Sequence, residues 1–255
     1  MLLYINGDSH AAGAEALVVH SWAMDDPNLY HLGQRPHPDN ESVSFGAKLS
    51  ELLQVQRINH SMSGCGNQRI RRTTRDWIQQ NPDQLSQTFM LIQWSTWERE
   101  EWWYQDQYWQ VNASGTDHVP RELEQRYKEF VVSVDWTECT QRAHQEIWEF
   151  HQELRDLNIA HLMFNANSHF GGLHLVNNLM VPIIAADQRR DWHNQFINPY
   201  DQNGTYNAIL RQNGFDTVAA GNYHFGKDAH CFWAQFLLQY MKQHQLLDLH
   251  EIPTD

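Results

Sequence analysis

A serine at position 9 and a histidine at position 224 are the residues whose types and settings best suit nucleophilic chemistry. Ser9 stands in the run Tyr4-Ile5-Asn6-Gly7-Asp8-Ser9-His10, directly after a short apolar stretch. A Gly-Asp-Ser turn closing a buried strand lifts its hydroxyl to the carboxyl edge of a sheet, where open α/β folds bind ligands. His224 stands in Tyr223-His224-Phe225-Gly226-Lys227-Asp228-Ala229-His230, just ahead of a helical pattern. A hydroxyl needs a nearby base to attack at neutral pH, and imidazole is the usual one. A third stretch, Ser63-Gly64-Cys65-Gly66-Asn67, supplies glycines that let backbone N–H groups approach a developing oxyanion. Together these residues would support acyl transfer.

Elements to position them are legible in the hydrophobic pattern. Leu2 to Ile5 and Val55 to Asn59 read as short strands, and Phe89 to Trp94 is a near-continuous apolar run of the kind a parallel strand covered on both faces requires. Ile159 to Asn165 is a fourth strand. Helices are expected from Ser42 or Ser44 to about Leu53, over Arg69 to Gln80 before Pro82, and over Thr137 to Leu157. A last one follows from Ala229, Phe232, Trp233, Phe236, Leu237, Tyr240 and Met241, which share one helical face. Strands alternating with helices predict an α/β fold, a three-layer α/β/α sandwich around a central parallel sheet. Residues 11–40 read as a long loop and 166–215 as loop with short helices. No repeat or low-complexity linker interrupts the chain, so one domain over 1–255 is expected, with an insertion at about 97–136.

Composition narrows the function classes. The 255 residues carry a net charge of −13 and are 41% hydrophobic. An acidic balance argues against a nucleic-acid surface, which needs clustered positive charge. Arg69, Arg71, Arg72 and Arg75 form the one basic cluster, read as a solvated helix face. Three cysteines without Cys-x-x-Cys spacing favour reduced thiols. No signal peptide is read at the N-terminus and no apolar run approaches the roughly 20 residues of a membrane span, so no membrane partner is predicted and the expected location is the cytoplasm.

The order and spacing of the three blocks resemble the SGNH (GDSL-type) hydrolases, a serine esterase family with a flavodoxin-like α/β/α fold. The resemblance implies Ser9 as nucleophile and His224 as base. It implies an oxyanion site built from the Ser9 and Gly64 N–H groups, with Asn67 or Ser95 helping and Asp8 beside them; Gly66 is a second glycine in the same loop. Asn67 also suits a helix cap. His230 falls in the first turn of the last helix and reads as structural. Two departures stand out. The family usually places Asp three residues before the histidine, where this chain has Gly221; Asp216 and Asp228 are displaced substitutes, and a dyad oriented by a backbone carbonyl is chemically reasonable. The family's Gly-x-Asn-Asp block is here Leu91-Ile92-Gln93-Trp94-Ser95-Thr96, with Ser95 nearest the Asn. A Trp-Ser pair there resembles an SGNH-like group seen in phage genomes.

Two functional readings therefore stand. In one, the chain hydrolyses a small acyl ester, with acetyl and a carbohydrate carrier as fitting choices. In the other, it is a degenerate SGNH-fold binding or structural protein, phage-related. Segment 97–136, with Trp97, Trp102, Trp103, Trp109 and Trp136, is either a sugar-stacking or partner-binding platform or an insertion packed on itself. No cofactor is expected. Sixteen histidines raise the question of a metal, but His144 and His151 lie two turns apart and His169 and His174 lack a third ligand. Cys65 reads as a small loop residue rather than a nucleophile.

Overall fold

The computed structural model describes residues 1–26, 35–114 and 119–247. The parts of the long loop and of the aromatic segment at 27–34 and 115–118 lie outside the described residues. The chain opens with strand β1 (Leu2–Asn6), then helices α1 (Pro38–Ser42) and α2 (Phe45–Leu53) and strand β2 (Gln56–Asn59). Helix α3 (Asn67–Gln80) precedes strand β3 (Thr88–Trp94). A hairpin of β4 (Glu100–Tyr104) and β5 (Gln107–Val111) and helix α4 (Glu124–Ser133) lead to α5 (Trp136–Asp156) and β6 (Ala160–Asn165). A second hairpin, β7 (Leu173–Val176) and β8 (Leu179–Pro182), is followed by α6 (Tyr206–Gln212) and α7 (Lys227–Gln243).

Strands β2, β1, β3 and β6 lie side by side in that order, all parallel, with Leu3 opposite Phe89 and Leu91 opposite Leu162. Alternation along each strand splits the core in two. Tyr4, Met90, Ile92, Trp94 and Met163 face Ile70 and Trp77 of α3 and Ile147, Phe150 and Leu154 of α5. Leu3, Ile5, Phe89, Leu91, Leu162 and Phe164 face Phe45 and Leu49 of α2 and Trp233 and Leu237 of α7. The fold is the expected three-layer α/β arrangement with a central parallel sheet. Every residue of β3 is buried, as its apolar run requires.

Local signals fix the helix ends. Ser44 rather than Ser42 caps α2, its Oγ accepting from the Ala47 N–H at 3.2 Å. Asp135 caps α5 by accepting from the Glu138 N–H at 2.9 Å. His230 is buried in α7, and its Nδ1 accepts from the Phe45 N–H at 3.1 Å, satisfying an otherwise orphaned donor at the start of α2. The structural role expected of it is the one it has.

The arginine cluster is not a solvated face. Arg71 pairs with Glu146 at 3.0 Å and Arg75 with Glu153 at 2.6 Å, tying α3 to α5. Arg72 pairs with Glu101 at 2.7 Å, tying α3 to the first hairpin, and Arg69 donates to the His60 carbonyl at 3.0 Å. Residues 166–215 differ from the expected loop by containing the second hairpin, whose Leu175, Leu179 and Met180 are exposed. No helix among the described residues is long and apolar enough to cross a membrane.

Candidate active site

Parallel strands bring their carboxyl ends to one edge, and the chemistry-bearing residues gather there. Strand β1 leaves through Gly7, where a Cβ would lie 2.6 Å from Gln93 Oε1 and 2.7 Å from the Ala11 methyl, so only glycine fits. The Asp8 N–H donates to Gln93 Oε1 at 3.0 Å, and the chain then coils tightly, with Ala12 N–H donating to the Asp8 carbonyl and Ala14 N–H to the Ser9 carbonyl. Ser9 is 7% exposed.

Asp8 itself is buried and anchors the turn. Its Oδ1 accepts from the His10 N–H at 3.0 Å; its Oδ2 accepts from Ser95 Oγ at 2.8 Å and from Arg99 Nη1 at 3.2 Å. Burial pushes this carboxyl up, but charge attraction from His10 and Arg99 and the donated hydrogen bonds outweigh it and hold Asp8 below the usual carboxylate range. His10 is itself driven down to about 4, chiefly by burial, so at neutral pH Arg99 and the donors do this work.

The loop after β2 is built onto the same turn. Met62 N–H donates to the Gly7 carbonyl at 3.1 Å, and the Cys65 thiol donates to that oxygen at 3.3 Å. Burial pushes the Cys65 thiol up to about 11, so it remains a protonated donor and not a nucleophile. Gly64 adopts a left-handed backbone, φ +81°, which favours glycine. Its N–H and that of Ser9 have no acceptor among the described residues, whereas the Gly66 N–H is taken by Gln110 Oε1 of β5 at 3.1 Å.

Asn67 and Ser95 are brought to this edge but are engaged with the protein. Asn67 Oδ1 accepts from the Ser95 N–H at 2.8 Å, and its Nδ2 donates to the Ser95 carbonyl at 3.4 Å. It does not cap α3; Gly66 occupies the cap position without a side-chain bond. The Ser95 hydroxyl donates its only proton to Asp8 and accepts from Arg99 at 2.8 Å.

His224 reaches the edge from the loop before α7. Its N–H donates to Asn222 Oδ1 at 2.8 Å and its carbonyl accepts from the Val218 N–H at 2.9 Å. Gly221 has φ +77° and carries the turn instead of a carboxylate. Asp216 and Asp228 are exposed. The acid beside His224 is Glu15, whose Oε2 lies 3.4 Å from Nδ1, an ion-pair distance without hydrogen-bond alignment. The His10 ring meets the His224 ring edge-on at 5.5 Å, and the Lys227 N–H donates to the Ala16 carbonyl at 3.1 Å. The Ser9 turn and the His224 loop are thus packed together, although no hydrogen bond joins Ser9 Oγ to the imidazole in this structure. Catalytic contacts are often long before substrate binds.

Sequence reasoning missed Glu15, His10, Arg99 and Asn167, whose Nδ2 sits 3.3 Å from His10 Nε2. The Gly-Asp-Ser-His run itself put His10 beside Ser9 and was the available signal; for Glu15 there was none.

The aromatic segment is mixed. Trp102, Val111, Leu123 and Tyr127 form a small core of their own, and Trp97 stacks on Phe170 at 5.0 Å. Trp103 and Trp136 are exposed, and Trp103 meets Tyr108 edge-on at 4.6 Å on the hairpin face that also carries Gln110. Among the described residues no three His, Cys, Asp or Glu side chains are grouped to hold a metal. His144 instead bonds Tyr200 at 2.8 Å, and His151 bonds His161 at 2.9 Å.

No protein-family model matches the chain, and no curated protein matches it. Nine solved chains resemble it, two of them as follows. The first, from work on a carbohydrate esterase whose active site displays divergent catalytic and non-catalytic binding functions, aligns with a TM-score of 0.40 and 14% identity over 95% of this chain and 64% of that one. This chain therefore spans less than two thirds of that structure. The second is a catalytic mutant of an acetylxylan esterase from Geobacillus stearothermophilus, with a TM-score of 0.42 and 14% identity over 94% of this chain and 93% of that one.

Proposed function

We propose that the chain is a single-domain serine esterase of the SGNH kind, hydrolysing a small acyl ester, with an acetyl group on a carbohydrate as the preferred substrate class. The observation that carries this reading is the packing of the Ser9 turn against the His224 loop at the carboxyl edge of the sheet. Ser9 Oγ attacks the ester carbonyl carbon while His224 accepts its proton. The tetrahedral oxyanion is held by the Ser9 and Gly64 N–H groups, the two donors left free there. Collapse breaks the bond to the alcohol oxygen, which takes the proton from His224, and water repeats the cycle on the acyl-serine.

Ser95, Asn67 and Asp8 act in this reading as the frame of the turn rather than as oxyanion donors, since their polar atoms are already engaged. An oxyanion site short of one donor loses about 10²–10³ in turnover, so modest rates are expected. Exposed Trp103 suits the apolar face of a sugar ring, while Tyr108 beside it already carries the Arg72 guanidinium over its ring at 3.8 Å. Three unpaired cysteines suit a reducing compartment such as the cytoplasm. The Trp94-Ser95 departure from the family block keeps the resemblance to the phage-genome group as part of this reading.

The second reading, an SGNH-fold binding protein without turnover, is favoured by the commitment of the Ser95 hydroxyl to Asp8. A fluorophosphonate probe separates the two. Labelling of Ser9 that is abolished by Ser9→Ala and weakened by His224→Ala supports the esterase; folded protein that neither labels nor hydrolyses p-nitrophenyl acetate supports the binding protein.

A further inference from the structure

We propose that Glu15 is the positioning residue for His224, so that the acid comes from the nucleophile's own loop and not from the histidine's. The proposal rests on the esterase reading above. In the family that the chain resembles the acid precedes the histidine by three residues, and here that place is Gly221.

Four observations converge on Glu15. Its Oε2 lies 3.4 Å from His224 Nδ1, with the two side chains only 22% and 18% exposed, so water screens their attraction incompletely. Asn222 ties the pair together: its Nδ2 donates to the same Glu15 oxygen while its Oδ1 accepts from the His224 N–H. The Ser21 hydroxyl donates to the other carboxylate oxygen at 3.4 Å, and the neighbouring Ala16 carbonyl is fixed by the first residue of α7. Lastly, Glu15 holds a left-handed backbone, φ +61°, a conformation that glycine or asparagine adopts with less strain. Nothing in the local turn calls for a glutamate there; the side chain's engagement with the histidine loop does.

The charge distribution supports the same role. Asp8 is committed to Arg99 and Ser95, and the His10 ring against His224 is uncharged at neutral pH. When His224 takes the Ser9 proton, Glu15 is the adjacent carboxylate that balances the imidazolium. A small rotation of the imidazole aligns Nδ1–H with Oε2 and leaves Nε2 free to face the hydroxyl.

The test uses the full chain with Glu15→Gln, Glu15→Gly and the double variant Glu15→Gln with Gly221→Asp. Three quantities are measured: p-nitrophenyl acetate kinetics, melting temperature, and the His224 tautomer from ring ¹⁵N chemical shifts. The expected result is a kcat lowered about 10²-fold with KM within about twofold in both single variants. Glu15→Gly is expected to melt at or above the parent temperature, because the backbone strain is relieved while the carboxylate is lost. The Nδ1–H tautomer dominates in the parent and gives way to a mixture in Glu15→Gln. Gly221→Asp, whose new Cβ meets nothing within 4 Å but which must bear the left-handed φ of +77°, is expected to melt lower than Glu15→Gln alone and to restore part of the rate. Parent-like kcat and an unchanged tautomer in Glu15→Gln, in a protein that labels at Ser9, would overturn the role of Glu15 and leave the esterase standing. A tautomer change in a protein that never labels would keep the Glu15–His224 link and remove the esterase.

Discussion

His10 and His224 come from distant parts of the sequence and meet edge to face, with ring centroids 5.5 Å apart. In the proposed reading only His224 acts as a base. His10 is buried, its Nε2 is occupied by the Asn167 amide, and burial holds it neutral down to about pH 4. His224 is partly exposed and has a carboxylate behind it. His10→Phe should therefore keep hydrolysis of p-nitrophenyl acetate within about fivefold, whereas His224→Phe should lower kcat by about 10²–10⁴. Equal losses in both variants would assign the base wrongly.

Ser95→Ala distinguishes a framing hydroxyl from an oxyanion donor. Because its proton is already given to Asp8, removal should lower stability by about 1–2 kcal/mol and turnover by less than tenfold. A donor to the oxyanion would instead cost about 10²–10³ in kcat. Asp8→Asn should be harsher on the fold, by about 3 kcal/mol, since it leaves the Arg99 charge without its partner. Urea unfolding of both variants beside their kinetics checks the contrast.

Acid should unfold this protein early. Burial drives His10, His144 and His161 down to about 4, and His151 and His230 to about 3. An unfolded histidine titrates near 6.5. Above that pH neither state holds these protons and stability is unaffected. Below it the unfolded chain binds protons that the folded chain refuses, so stability falls until the folded values are reached. Each fully differential proton removes about 1.4 kcal/mol per pH unit. Denaturant midpoints at pH 7, 6 and 5 should drop with increasing steepness; a flat profile would contradict the buried neutral histidines.

Trp103→Ala should separate carrier from acyl group. The side chain is exposed and meets Tyr108 edge-on, so the fold should be unchanged within about 0.5 kcal/mol. For an acetylated oligosaccharide kcat/KM should fall about tenfold, while p-nitrophenyl acetate, which has no sugar to stack, should be hydrolysed as before. Loss on both substrates would point to damage at the site itself.

What could be seen in the sequence was what repeats locally. The four parallel strands and helices α2, α3, α5 and α7 announced themselves by apolar runs and helical spacing, and Ser44 by its place before Phe45. The two hairpins did not. Their tight turns, Gln105-Asp106 and Asn177-Asn178, take positive φ at both central residues without a glycine to mark them. Asn177-Asn178 between two β-rich tetrads was the readable one. Charge was misleading for a different reason: the arginines of α3 look solvated until α5 and the first hairpin, far along the chain, deliver Glu146, Glu153 and Glu101. Glu15 was invisible because its partner is remote and its backbone conformation leaves no trace in a glutamate's neighbours.

Asn222 and Glu15 are 207 positions apart, yet one oxygen of the carboxylate is shared between them. Long-separation contacts of this sort are the slow ones to form, since the intervening loop must be closed before they are rewarded. In the esterase reading, the Ser9 turn and the His224 loop would therefore be joined only in a late folding step, when the segment before α7 docks on the turn after β1.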